Sequence, residues 1–238
     1  MIDINKIAHF FDGWDETLIW SCLHGCMGYA AADNDENPTS AFITTGDICF
    51  IAGKPCRELV EKITGSIIVP RSDDWNKVIE DVFKNEVVKH TRYAFKKDPS
   101  VFDIEKLTQY AKSLPAEYTL KMYDEELYKM TLSEEWSIDQ CSQFKDYNDY
   151  KERGIGVAVI YQGKLVAGAS SYTVYNGGIE IQIDTKKEFQ RKGLATACAA
   201  KLILECLKRG LYPSWDAHNL SSVGLAEKLG YKLDYPYL

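Results

Sequence analysis

The sequence predicts a mixed α/β chain (α+β in layout) with a centrally antiparallel sheet flanked by helices, preceded by a second α/β half. Three observations lead there. Strand-like runs at Gly156–Tyr161, Leu165–Val174 and Ile179–Thr185 follow one another through Gln162-Gly163-Lys164 and Asn176-Gly177-Gly178, which are hairpin turn signals. Helical and strand-like segments alternate on either side of that meander. In the third run Ile179, Ile181 and Ile183 alternate with Glu180, Gln182 and Asp184, and a short basic loop ending in Gly193 then opens into a long helical pattern.

The elements can be justified in order. Lys6–Met27 reads as helical, with Trp14, Leu18, Ile19, Cys22 and Leu23 on one stripe. Polar turn residues from Asp33 to Pro38 precede two strands, Ser40–Thr44 and Asp47–Ala52, joined at Thr45-Gly46. A helix at Arg57–Ile63, a buried strand at Ser66–Val69 and a helix capped by Asp73 or Asp74 that runs through Phe83 to Asn85 follow. Val87–Phe95 alternates and is β-branched and aromatic, so it reads as a strand. Pro115 stops a helix at Asp103–Leu114, and the domain boundary is placed there, giving units 1–115 and 116–238. The second unit opens with strand Tyr118–Met122 and helices Asp124–Leu132 and Glu135–Tyr150, then runs into the meander. Helix Leu194–Arg209 ends on basic residues and Gly210, a favourable C-terminus. A short strand at Pro213–Asp216, a helix at Leu220–Leu229 closed by Gly230, and a strand at Tyr231–Tyr237 complete the chain.

Composition excludes several classes. Of 238 residues, 45% are hydrophobic and 26% charged, as in an ordinary soluble globular protein. A net charge of -7 argues against a nucleic-acid partner, because phosphate backbones reward a basic footprint. No apolar run approaches membrane-spanning length and the N-terminus lacks a signal pattern, so no membrane partner and a cytoplasmic location are expected. The seven scattered cysteines then read as reduced thiols. Cys22, His24 and Cys26 raise a metal question, but no second pair of ligands follows and their neighbours are apolar, so no metal is expected.

A strand, a tight glycine loop and a helix N-terminus together form an anion-binding arrangement, in which backbone N–H groups and the helix dipole face the ligand. Here the residues also resemble a family. Gln190-Arg191-Lys192-Gly193-Leu194-Ala195 resembles the Gln/Arg-x-x-Gly-x-Gly/Ala acyl-CoA loop of the GNAT N-acetyltransferases. Trp215-Asp216-Ala217-His218-Asn219, Ser222 and Leu225–Tyr231 resemble that family's second cofactor segment. With Thr185 and Pro213-Ser214 added, the pattern is similar to the subgroup that includes zwittermicin-resistance acetyltransferases. The resemblance covers roughly Glu117 onward.

It implies a GNAT-like sheet and acetyl-CoA as cosubstrate. Backbone at Ile183, Asp184 and Thr185 would pair with the pantetheine arm like an added strand. N–H groups of Arg191, Lys192, Gly193, Leu194, Ala195 and Thr196 would surround the pyrophosphate beside Gln190, with Lys187 adding charge, although a solvated charge run is the commoner role for such bases. Asn219 and Ser222 would hold the arm from the other side, and Asn219 serves equally well as a helix N-cap. Glu180 stands where several relatives place a carboxylate base, and it reads equally as an exposed strand residue. An N–H near Thr185 would serve as oxyanion donor. Many relatives carry a tyrosine acid where this chain has Ala226, which leaves Ser222, His218, Tyr231 or water to protonate the thiolate.

The implied function is acetyl transfer to the primary amine of a small molecule by direct attack, and the rival is a catalytically inactive acyl-CoA sensor. Nothing marks a peptide groove, the acceptor is unnamed, and the oligomeric state is silent. The order of elements from Ser40 to Phe95 repeats that of the second half without a Gly-x-Gly/Ala loop, which suggests a degenerate GNAT-like half; an unrelated α/β cap is the alternative.

Overall fold

The computed structural model describes residues 2–238. The chain divides into two compact units, one running to His90 (with Leu238) and the other spanning Thr91–Tyr237.

The first unit contains α1 (Ile4–Ile7), α2 (Thr17–Leu23), β1 (Tyr29–Ala32), β2 (Ser40–Thr45), β3 (Ile48–Gly53), α3 (Arg57–Val60), β4 (Ile67–Pro70) and α4 (Asp74–Phe83). Its sheet has the order β1-β2-β3-β4, antiparallel except for the last pair, which is parallel. Phe42, Cys49, Ile51, Leu59, Val60, Trp75 and Ile79 form a core between sheet and helices. The single helix expected over Lys6–Met27 is two short ones, separated by a break at Gly13, whose φ of +70° no helix accommodates. Strand β1 escaped the sequence reading because Tyr29-Ala30-Ala31-Ala32 carries no β-branched residue.

The second unit contains β5 (Arg92–Phe95), α5 (Ile104–Ala111), β6 (Tyr118–Met122), α6 (Glu125–Leu132), α7 (Tyr147–Arg153), β7 (Gly156–Tyr161), β8 (Lys164–Tyr175), β9 (Gly178–Thr185), α8 (Leu194–Lys208), β10 (Tyr212–Ser214), β11 (Asp216–Ala217), α9 (Leu220–Leu229) and β12 (Leu233–Tyr237). Its main sheet has the order β10-β9-β8-β7-β6, with only β9 and β10 parallel. A smaller sheet has the order β11-β5-β12.

That smaller sheet explains why the units part at His90/Thr91 and not at Pro115. Strand β5, four residues long where Val87–Phe95 was expected, pairs antiparallel with both β11 and β12. The expected helix Glu135–Tyr150 is also corrected. Ile138–Gln140 makes one 3-10 turn, and α7 starts afresh behind Asp146, whose carboxylate caps it by accepting the Asp149 N–H at 3.0 Å. No helix among the described residues is long and apolar enough to cross a membrane, and none of their His, Cys, Asp and Glu side chains cluster as a metal site.

Candidate active site

Strand β9 pairs with β8 from Gly178 to Thr185, but with β10 only from Gly178 to Glu180. Beyond Glu180 the sheet forks. Strand β10 stops at Ser214 and the chain turns into β11, which joins β5. The Lys186 N–H reaches the Val166 carbonyl on the β8 side at 2.9 Å. Antiparallel backbone alternates its hydrogen-bonding sides, so Ile181, Ile183 and Thr185 turn their main-chain groups toward the fork. The Thr185 hydroxyl is buried there without a partner.

The loop closes back on this edge. Gln190 donates its side-chain N–H to the Thr185 carbonyl at 3.3 Å. Arg191 and Gly193 hold φ values of +64° and +80°, and Gly193 stands where the N-cap of α8 belongs, with no side chain capping the helix. The first N–H groups of a fifteen-residue helix, Leu194, Ala195 and Thr196 among them, therefore stay open to an anion. A Cβ on Gly193 would meet nothing within 4 Å, so the demand for glycine is conformational. Lys187, Arg191 and Lys192 are exposed around the loop, Lys192 lying 4.7 Å over the Phe189 ring. The Thr196 hydroxyl lies 3.4 Å from the Lys228 ammonium on α9.

Polar residues of β9 line one face of the strand. Glu180 is buried at 6% exposure, so it is not the solvent-facing strand residue that the alternation also allowed. Its register partners are Thr173 on β8 and Ser214 on β10, both buried. Asp184 accepts the side-chain N–H of Gln140 at 3.2 Å and that of Gln182 at 3.1 Å, and Tyr123 donates its hydroxyl to Gln140 in turn. Burial pushes the Asp184 carboxyl up to about 6, against the two amide hydrogen bonds that lower it. Because the folded protein holds this proton more tightly than the unfolded chain, stability from this group falls as pH rises from 3.8 to about 6, and the penalty is complete above that. Asp184→Asn should therefore gain stability over the wild type between pH 4 and pH 7, by on the order of 2–3 kcal/mol. Urea denaturation at the two pH values measures it, and an equal difference at both would overturn this account.

At the head of α9, the Asn219 carbonyl accepts the Ser222 N–H at 2.9 Å, and its amide meets His218 Nδ1 at 2.9 Å. The capping role is thus realised. Trp215, buried between β10 and β11, donates its indole N–H to the Ser222 hydroxyl at 3.1 Å. Tyr231 spends its hydroxyl proton on the Pro213 carbonyl at 2.6 Å, and burial holds its pKa well above 10. Ala226 is fully buried on the inner side of α9 with Val223 and Leu229. Sequence reasoning missed Thr173, Gln140 and Tyr123, which reach these positions through a strand irregularity and an irregular connection.

A profile for the family described as GNAT acetyltransferase covers residues 8–238. The chain belongs to that family. This GNAT acetyltransferase is 44% identical to a GCN5-related N-acetyltransferase-like protein from Streptococcus suis 89/1591, over 98% of its own chain and 96% of the other, with a TM-score of 0.95. It is 28% identical over 243 residues to the uncharacterized N-acetyltransferase YdfB of Bacillus subtilis (strain 168), covering 94% of this chain and 89% of that protein. It shares the fold alone with a tandem GNAT protein from the clavulanic acid biosynthesis pathway, at 11% identity, a TM-score of 0.56, and coverage of 86% and 78%.

Proposed function

We propose that this protein transfers an acetyl group from acetyl-CoA to the primary amine of a small molecule, with the amine attacking directly. The observation that carries the reading is the fork: a strand edge left open from Ile181 to Thr185 leads straight to an uncapped helix N-terminus. A pantetheine arm offers amides that can pair with such an edge, and a pyrophosphate suits the N–H groups of the loop. The residues fit. Ile183 and Thr185 would take the arm, the orphaned Thr185 hydroxyl gaining a partner, and Arg191 to Thr196 would take the phosphates beside Gln190. Asn219 and Ser222 would face the arm from α9. Acetyl-CoA, when bound, supplies the activated acetyl thioester.

The remaining chemistry belongs to this chain. Glu180, at the apex of the fork, takes a proton from the acceptor ammonium and leaves a neutral amine. A main-chain N–H of Thr185 polarises the carbonyl. Ser222 accepts from Trp215, so its own proton remains available for a departing thiolate; Tyr231 has already committed its proton to Pro213. The likeness to zwittermicin-resistance acetyltransferases supports a small-molecule acceptor, and it rests on Thr185 and Pro213–Asn219.

The test is thiol release from acetyl-CoA in the presence of 2-phenylethylamine, spermidine and glucosamine, with products identified by mass spectrometry. CoA binding without turnover on any amine would favour a sensor. Gly193→Ala should raise the Kd for CoA about tenfold, because a left-handed alanine costs about 1–2 kcal/mol. Isothermal titration measures this, and unchanged affinity would remove the loop from the site.

A further inference from the structure

Strand β8 carries one residue more than β9 beside the fork. Ser171 pairs with Ile181 and Thr173 with Glu180, which leaves Tyr172 as the extra residue of a bulge. Bulges re-aim side chains. Without this one, the alternation that sets Ser170 opposite Gln182 would bring Tyr172 opposite Glu180. With it, Thr173 takes that place.

Thr173 is fully buried and its hydroxyl has no hydrogen-bond partner. Isosteric valine would fill the same volume without an unmet polar atom, so packing does not explain the hydroxyl. The side chain directly across the ladder is a carboxylate, at a Cβ separation of about 5 Å for such pairs.

We infer that Thr173 is a positioning residue for Glu180, donating its hydroxyl proton to the carboxylate in the arrangement that receives the acceptor's proton. This rests on the reading of Glu180 as base. Ser214 borders Glu180 on the side where the fork opens. Tyr231 lies near enough to feel the Glu180 charge, and its hydroxyl proton is held by the Pro213 carbonyl.

Two measurements test this. In Thr173→Val, kcat with the best acceptor of the amine panel should fall about tenfold, KM for acetyl-CoA should stay unchanged, and Thr173→Ser should remain within about threefold of wild type. The melting temperature of Thr173→Val should equal or exceed that of wild type; a marked drop would mark the hydroxyl as a structural group and overturn the inference, as would unchanged kcat. Independently of turnover, carboxyl 13C NMR of glutamate-labelled protein with CoA and propylammonium, with Glu180 assigned by Glu180→Gln, reads the bond directly. A hydroxyl donor favours the charged form, so the Glu180 midpoint should rise by about half a unit to one unit in Thr173→Val. An identical midpoint sinks the inference even if the enzyme is active. A shifted midpoint with no thiol release from wild type would sink the transferase reading alone.

Discussion

Glu180→Gln should lower kcat roughly 100- to 10,000-fold while leaving CoA affinity within a factor of about two. The amide keeps the shape of the side chain but carries no charge and cannot take up the proton. Glu180 sits at the last residue where β9 touches β10, and its carboxylate lies on the other face of the strand from Ile181 and Ile183. In the proposed reaction, cofactor binding and proton removal would thus fall to different atoms of one strand. Steady-state kinetics with the best acceptor, paired with CoA titration, separate the two. A loss of less than about fivefold would leave the ammonium to be deprotonated by solvent and return Glu180 to a structural role.

The second large effect is on stability. Arg92 on β5 pairs with Asp216 on β11 through Nε at 2.7 Å and through a second guanidinium nitrogen, and Tyr237 on β12 donates its hydroxyl to the other Asp216 oxygen at 2.7 Å. The side chains of the pair are 13% and 10% exposed. Arg92→Met should cost about 3–5 kcal/mol, because it strands a buried carboxylate; the worth of the pair against an apolar replacement is far smaller. Arg92→Met combined with Asp216→Asn should recover much of the loss. Urea denaturation of both variants decides it, and a single-variant loss below about 1 kcal/mol would show that water reaches Asp216.

These two effects mark where the sequence was legible. The β7–β8–β9 meander and α8 announced themselves through strict alternation, glycine turns and a long apolar helix, all local signals, and so did the loop at Gly193. The polar partners of β9 did not. Thr173 faces Glu180 only because of one extra residue in β8, and no local preference marks a bulge within Ser170–Val174. Gln140 reaches Asp184 from a single 3-10 turn inside a stretch whose aromatics mimic a helical stripe. The unit boundary failed for a related reason. Pro115 is a sound helix stop, but the partners of β5 lie more than a hundred residues downstream, beyond any window of local pattern.

The first unit shows what the fork adds. Its β3 and β4 repeat the parallel pair of β9 and β10, yet they stay zipped from Ile48 to Ile51, and the Arg71 N–H extends the pairing to the Ile51 carbonyl at 2.9 Å. Helix α3, behind Pro55, has four residues. That parallel pair recurs without a fork and without a long helix to face one.

Strand β5 lies between β11 and β12, so the opening strand of the second unit is completed by its closing ones. During synthesis β5 leaves the ribosome early, and its partners follow more than a hundred residues later, Asp216–Ala217 on one edge and Leu233–Tyr237 on the other. Pairings of such long sequence separation form late and slowly. Until then its unpaired edges are open to a neighbour, so the strand that locks the finished unit is also one where misassembly can start.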